Sequence, residues 1–455
     1  MHELYYETKN FYSEADEAQV KAVYDFAEGY KTFLDKARTE RLAVNEAVRL
    51  AEAAGFRAWE PGDAAEAGDR LYYVNRGKGM MLAVVGRQDM NAGVNLAVAH
   101  VDSPRLDIKQ NPLYEDSELA FLKTHYYGGI KKYQWVATPM ALVGTVIKAD
   151  GSAVEVSVGL ERGEPRFVVT DLLVHLSGDQ TKKPAADFFP GEKLNLLMGS
   201  RPDAEDDKSK VKLTVMKLLH EKYGITEADF RSAELCAVPA DEVCDLGLDR
   251  SLIGGYGHDD RCCAYAELQA IFSMENPEKT AVCLLADKEE IGSEGVTGML
   301  SEAFDYFIEG LCEAVGGSRR RCYAHSFCLS ADVCNALDPN FAEVSDKLNN
   351  AQLNHGVGLA KFTGSRGKSG SNDASAELVG KTRRMLDEAG VYWQMGELGK
   401  VDQGGGGTVA KYTAQRNIDT IDAGVPVLNM HATFEVISKA DLYMTFRAVQ
   451  ELYRQ

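Results

Sequence analysis

The chain has 455 residues, 45% hydrophobic and 26% charged, an ordinary composition for a globular protein with ample core. Its formal net charge of -19 argues against non-specific binding to nucleic acid and against an anionic membrane surface. MHELYYETKNFYSEADEAQV lacks the apolar core of a signal peptide, and no run approaches the ~18 apolar residues of a membrane span.

Residues 13–55 read as two helices. SEADEAQVKAVYDFAEGYKTFL opens on a Ser that can cap, and ERLAVNEAVRLAEAAGF ends near Gly55. RLYYVNRGKGMMLAVVG predicts two strands around the turn Asn75 to Gly79, and NLAVAH a short apolar strand ending at His100. From about Leu106 to Cys244 the texture turns β-rich. MALVGTVIKADGSAVEVSV and PRFVVTDLLVHL are strand-like, RPDAEDDKSK is a polar loop, and VKLTVMKLLHEKYGI reads as a strand running into a helix. Residues 105–245 are therefore expected to form a β-rich domain inserted into a larger α/β domain made of residues 1–104 and 246–455.

Beyond Gly254 strands and helices alternate. A helix from about Asp260 to Met274 precedes a strand Ala281–Ala286. A helix around Gly298–Val315 precedes a strand Ser326–Ala331. SNDASAELVGKTRRMLDEAG is helical and leads to a strand around Tyr392–Met395. A strand Val425–Met430 precedes the final helix, SKADLYMTFRAVQELYRQ. The expected fold class is α/β, a mixed sheet covered by helices on both faces. The nine cysteines follow no CxxC spacing; Cys262 and Cys263 are adjacent, and several others sit in apolar runs. Buried free thiols in a reducing compartment fit that usage, so a cytoplasmic protein is expected.

Acidic residues and histidines gather where the apolar runs stop. His100 and Asp102 follow NLAVA; Asp287, Glu289 and Glu290 follow AVCLLA; Asp332 follows SFCLSA; His431 follows VPVLNM. Asp259 and Asp260 lie where a loop enters a helix. Ligands of open α/β sheets bind at the carboxyl ends of strands. Imidazoles and carboxylates suit borderline divalent cations such as Zn²⁺, and two such ions can share a carboxylate, polarise a carbonyl and activate water. Adjacent extended residues point apart, so one glutamate can bind metal while the other serves as general base. Asp102 projects to the same side as His100 and can hold its imidazole. Singly each motif is weak: adjacent glutamates usually form a solvated face, and Asp259-Asp260 can simply cap a helix. Their joint order along the chain points to a dinuclear centre. GKVDQGGGGTVAKY contains neither GxxxxGK[ST] nor GxGxxG after a strand. It reads as a flexible loop or a close backbone approach to a peptide, rather than a phosphate cradle.

The segments AHVDSPRLDIK, YYGGI, LLVHLSGDQ, GHDDR, DKEEIGSEG, SADVCNALDPNF and NMHATFEVISKADLY span nearly the whole chain in order. With them the chain resembles the aspartyl aminopeptidase and vacuolar aminopeptidase I family, metallopeptidase family 18. The resemblance implies a dinuclear-zinc exopeptidase fold whose β-rich insertion mediates dimer contacts. It implies that Asp259 bridges two divalent ions, zinc or else cobalt or manganese. His100 and Asp332 would complete one ion, and Glu290 and His431 the other. Relatives often carry Asp-Asn here, so Asp260 is the alternative bridge. Glu289 would be the general base and Asp102 the orienting acid. His175 stands where relatives send a histidine into a neighbour's active site; an uninvolved strand histidine is the alternative. Lys361 stands where relatives place a lysine near the substrate. The implied partners are peptides with a free N-terminus and eleven further copies, a homododecamer built from dimers. The N-terminal residue removed would be acidic (Asp or Glu) or neutral, such as Leu. Another amide hydrolase, a deacylase or carboxypeptidase, and a non-catalytic assembly protein are the rival readings.

Overall fold

A computed structural model describes residues 4–204 and 208–455; residues 1–3, and 205–207 of the polar loop RPDAEDDKSK, lie outside the described residues. The chain divides into two compact units, one of Met1–Asp102, Val243–Met430 and Phe434–Gln455, the other of Ser103–Glu242 with His431–Thr433.

In the first unit, helix α1 (Glu17–Lys36) is started by Asp16 rather than Ser13. The Asp16 side chain accepts the Gln19 N–H, and Gln19 returns the bond to the Asp16 N–H, a reciprocal cap. Val23, Ala27, Tyr30 and Leu34 bury one helical stripe. Thr39 caps α2 (Glu40–Ala53). A nine-stranded sheet follows from β1 (Arg57–Ala58), β2 (Arg70–Asn75), β3 (Gly79–Val84), β4 (Val94–His100), β5 (Thr280–Ala286), β6 (Phe327–Ser330), β7 (Val357–Ala360), β8 (Trp393–Met395) and β9 (Asp419–Gly424). Its order is β1-β2-β3-β5-β4-β6-β9-β7-β8. The central strands β5, β4, β6 and β9 run parallel, with Ala286 level with His100 and Ser330 level with Val98 and Asp422.

Alternation divides the core between the two faces. Ala97, Ala99, Phe327, Leu329, Ile421 and Ala423 pack with α1, α2, α3 (His258–Phe272) and α6 (Lys439–Tyr453). Leu96, Val98, Cys328, Val282 and Leu284 pack with α4 (Ala303–Val315) on the other face. This is the helix-covered mixed sheet expected from the sequence. Ser375 caps α5 (Ala376–Glu388), so that helix starts five residues later than the polar run SNDAS suggests.

The second unit holds a seven-stranded antiparallel sheet, including Arg105–Asp116, Leu119–Tyr127, Met140–Ile147 and Ala233–Pro239. Two expectations here need correction. VKLTVMKLLHEKYGI contains no strand: Lys210–Tyr223 is helical throughout, with Val211, Thr214, Val215 and Leu219 buried at helical spacing. Its β-branched residues favoured a strand locally, but one buried helical face outweighs that preference. In PRFVVTDLLVHL only Val168–Val169 is strand, and Val174–Leu176 forms a 3₁₀ turn. Leu172, Leu173, Val174 and Leu176 are exposed there.

Candidate active site

His100 ends β4 and is fully buried. Its Nδ1 lies 2.9 Å from the Asp102 carbonyl oxygen. A carbonyl only accepts, so Nδ1 carries the proton and Nε2 keeps its lone pair. Nε2 faces Asp259 Oδ1 at 3.1 Å, with Asp332 Oδ1 at 3.9 Å and Glu289 Oε2 at 4.0 Å. A lone pair and a carboxylate oxygen at that separation repel unless a proton or a cation lies between them.

The electrostatics agree. Burial alone would lower the His100 pKa, but hydrogen bonds to Asp102 and Asp259 and the charges of Asp332 and Asp102 hold it well above the ordinary imidazole value. Burial drives Asp332 well above the usual carboxylate range, offset by His100 and reinforced by Glu289 and Asp259. Asp260 is likewise raised by burial first. Ligand atoms of His100, Asp259 and Glu290 lie within 4.8 Å of one another, as do those of His100, Asp260 and Asp332. So much clustered acid around one imidazole is the donor set a divalent cation requires.

Asp102 is fully buried and has a second task. Its Oδ1 accepts the Glu289 N–H at 3.1 Å and its Oδ2 the Glu290 N–H at 3.2 Å. Its carboxylate is 3.4 Å from His100 Nδ1, so the closer hold on the imidazole is the Asp102 carbonyl. The glutamates are not extended, as the sequence suggested. Strand β5 ends at Ala286, Lys288 turns into the left-handed region at φ 68°, and Glu289–Ile291 is a 3₁₀ turn. It is this turn, not the pleat, that carries the two carboxylates, and both reach towards His100: Glu289 Oε2 lies 4.0 Å from Nε2, and a Glu290 oxygen lies within 4.8 Å of a His100 ring nitrogen.

Asp259 and Asp260 open α3 with non-helical backbone, and regular helix begins after them. The Asp259 N–H donates to Glu435 Oε2 at 3.1 Å. Asp260 Oδ2 accepts the His100 N–H at 3.3 Å, and Asp260 Oδ1 has no partner among the described residues. Both aspartates therefore stay in play, Asp259 facing the imidazole and Asp260 its backbone. Arg261, next along, is fully buried and donates from Nε to the Val101 carbonyl at 3.0 Å, which ties α3 to the end of β4.

Asp332 lies two residues beyond β6. Gly424 lies hard against it: a Cβ there would sit 1.7 Å from the Asp332 carbonyl oxygen, so only glycine fits. His431 belongs to the second unit, has φ 65°, and places Nδ1 2.7 Å from the Gly129 carbonyl oxygen. By the same tautomer argument its Nε2 keeps the lone pair. His175 is exposed in the 3₁₀ turn of the second unit. Lys361 follows β7, and its Nζ pairs with Asp373 Oδ1 at 2.8 Å while Lys368 Nζ reaches Asp373 Oδ2 at 3.2 Å. Two buried participants escaped the sequence reading, Arg261 and Asp422. For Asp422 the available signal was an acid between the apolar residues Ile421 and Ala423 of the strand DTIDAG.

A helix-covered mixed sheet with imidazole and carboxylates at the carboxyl ends of parallel strands defines a zinc-exopeptidase type of hydrolase fold. Residues 33–453 match the family described as Aminopeptidase I zinc metalloprotease (M18). The chain is 47% identical over 452 residues to a probable M18 family aminopeptidase 1 of Clostridium acetobutylicum, covering 97% of each. The crystal structure of an M18 aminopeptidase from Thermotoga maritima superposes with a TM-score of 0.95 at 42% identity, covering 99% of each chain. The mApe1 dodecamer of S. cerevesiae shares the fold at a TM-score of 0.76 and 18% identity, over 94% of this chain and 98% of that one. The chain belongs to the M18 family of zinc metalloprotease aminopeptidases.

Proposed function

We propose that the protein is a cytoplasmic, two-metal aminopeptidase that removes the N-terminal residue from peptides with a free N-terminus. The observation that carries this reading is His100 Nε2 facing Asp259 Oδ1 at 3.1 Å within a ring of further carboxylates. His100, Asp332 and Asp259 fit one divalent ion. Glu290, with Asp259 shared, fits the second, for which the resemblance assigns His431 as the imidazole. Zinc, or cobalt or manganese in its place, would supply Lewis acidity toward the scissile carbonyl and the attacking water. Glu289 takes the proton from that water on its carboxylate and hands it to the leaving amine. Asp102 holds Glu289 and Glu290 by their backbone N–H groups, which fixes the base relative to His100.

Residues 105–245 are proposed as the dimerisation element of a homododecamer, as mApe1 is a dodecamer. The exposed Leu172, Leu173, Val174 and Leu176 beside His175 support a contact surface there, from which His175 would reach a neighbouring subunit's substrate. Lys361 suits an acidic N-terminal side chain. Its ion pair with Asp373 favours a second reading, preference for neutral residues such as Leu, because the cation is already compensated. Turnover of Asp-, Glu- and Leu-linked chromogenic substrates separates these. N-blocked peptides should resist the enzyme; their cleavage would point to a deacylase or carboxypeptidase. The test of the central reading is Glu289→Gln: it should keep its metal and lose nearly all turnover. Wild-type turnover in that metal-loaded variant would overturn it.

A further inference from the structure

The glycine-rich stretch is not a slack loop. Gly404 is locked, since a Cβ there would lie 1.4 Å from the Leu398 carbonyl oxygen. The Lys400 N–H donates to the Val344 carbonyl at 2.9 Å. Gly405–Gly406 pairs antiparallel with Gly364–Ser365, so residues 397–408 and 361–373 are stitched into one flap. Both of its arms are tied to alternate positions of a single strand, β9. Asn372 Nδ2 donates to the Thr420 carbonyl. Thr408 Oγ1 donates to Asp422 Oδ1 at 2.7 Å.

Asp422 is unusual for a strand interior, a carboxylate only 3% exposed. Ile421 and Ala423 face the helical core, so alternation turns Thr420 and Asp422 to the opposite face. Asp422 is level with Ser330, the last residue of β6, and Asp332 follows two residues later. Gly424, two residues past Asp422, abuts Asp332 directly. The flap's anchor is therefore one pleat repeat, about 7 Å along the strand, from the position that touches a metal-site aspartate. Burying a carboxylate there is costly without polar partners, and Thr408 donates to it with the Ser330 hydroxyl also set against it. Beyond the anchor, Gly407 is exposed with open space where a Cβ would stand, leaving its backbone approachable by a peptide.

We propose that Asp422 is a positioning residue for the peptide substrate, acting through Thr408 on the glycine-rich flap; this rests on the aminopeptidase reading above. The hydrogen bond sets where the flap backbone stands relative to Asp332, and with it the fit of the substrate main chain, without touching the proton transfer at Glu289.

The experiment compares Thr408→Val with Thr408→Ser and Asp422→Asn in the zinc-loaded full-length enzyme, on one unblocked chromogenic substrate. Thr408→Val should raise KM about tenfold with kcat within about threefold, at unchanged metal content and Tm. Thr408→Ser, which keeps the hydroxyl, and Asp422→Asn, which keeps one acceptor oxygen for it, should both hold KM near the wild-type value. Unchanged KM in Thr408→Val overturns the proposal. So does a parallel loss of kcat, metal and Tm that Thr408→Ser fails to rescue, because the bond would then be merely structural. Glu289→Gln, run alongside, reports on the aminopeptidase reading independently: if it stays active, that reading fails whatever the flap variants do.

Discussion

Asp102→Asn isolates the clamp on the two glutamates. The wild-type carboxylate accepts two backbone N–H groups, from Glu289 at 3.1 Å and Glu290 at 3.2 Å, in a fully buried setting. Asparagine has nearly the same shape but a single acceptor oxygen. Whichever way the amide turns, its NH₂ confronts one of the two N–H groups. A hydrogen bond to a charged acceptor is worth about 1.5–3 kcal/mol, and a buried donor left unsatisfied costs about 1–3 kcal/mol more. The loss at the turn is thus about 2.5–6 kcal/mol, felt first as displacement of the Glu289–Ile291 turn. If about 3 kcal/mol of it appears as misplacement of the base, turnover falls by about 10²-fold. The assay measures kcat on a free aminoacyl chromogenic substrate, together with zinc content and melting temperature. The expected result is a folded, metal-bearing protein with kcat down by two orders of magnitude. A folded, metal-loaded Asp102→Asn with wild-type kcat would show that the clamp does not position the base.

Three further outcomes follow from buried geometry. Lys439 is 1% exposed, and its ammonium pairs with Asp245 Oδ1 at 2.8 Å, with the Tyr24 ring 4.4 Å away. Asp245→Ala should lower unfolding free energy by about 3–5 kcal/mol, and adding Lys439→Met should recover most of it, because the cost is the stranded charge; denaturant unfolding of the single and double variants decides. Burial pushes Asp441 up to about 8, although it accepts the Asn354 and Gly356 N–H groups. Between the unfolded carboxyl value and about 8 the folded state holds the extra proton, so stability falls as pH rises through that window, by at most about 1.4 kcal/mol per pH unit. Relative to wild type, Asp441→Asn should gain about 2 kcal/mol between pH 6 and pH 8; a pH-independent difference would contradict the buried proton. Gly424→Ala should expel Asp332 from its place and lower zinc occupancy while the rest of the sheet persists; full occupancy by elemental analysis would contradict that close approach.

The family and the α/β class were legible because their signals are local. His100, Glu289-Glu290 and Asp332 sit where an apolar run stops, and a run that stops marks a strand end without any knowledge of neighbours; the Asp259-Asp260 pair is marked instead by the loop that enters a helix. Parallel pairing of β5, β4, β6 and β9 then gathers those ends at one edge of the sheet. What stayed hidden is whatever depends on backbone direction after the strand. The glutamates were assigned opposite directions from the pleat, yet Lys288 breaks the strand into a turn before them. That left-handed residue is a lysine, so no glycine announced the turn. The helix at Lys210–Tyr223 is hidden at its start for a related reason: its β-branched residues carry a strand preference that only the buried face overrules.

The same distinction applies to Asp102, whose place is local but whose partners are not. Sequence spacing gave its place beside His100, and from place alone the imidazole is the natural partner. Only the turn at Glu289–Ile291 brings two backbone N–H groups within reach of its carboxylate. A carboxylate two residues past a strand-end histidine thus couples the imidazole, through its own carbonyl, to the base, through its side chain. Because the imidazole is held by the Asp102 backbone carbonyl and the base by its side chain, Asp102→Asn should disturb the Glu289–Ile291 turn while the hold on His100 persists, whereas a shift of the Asp102 backbone would be felt at both.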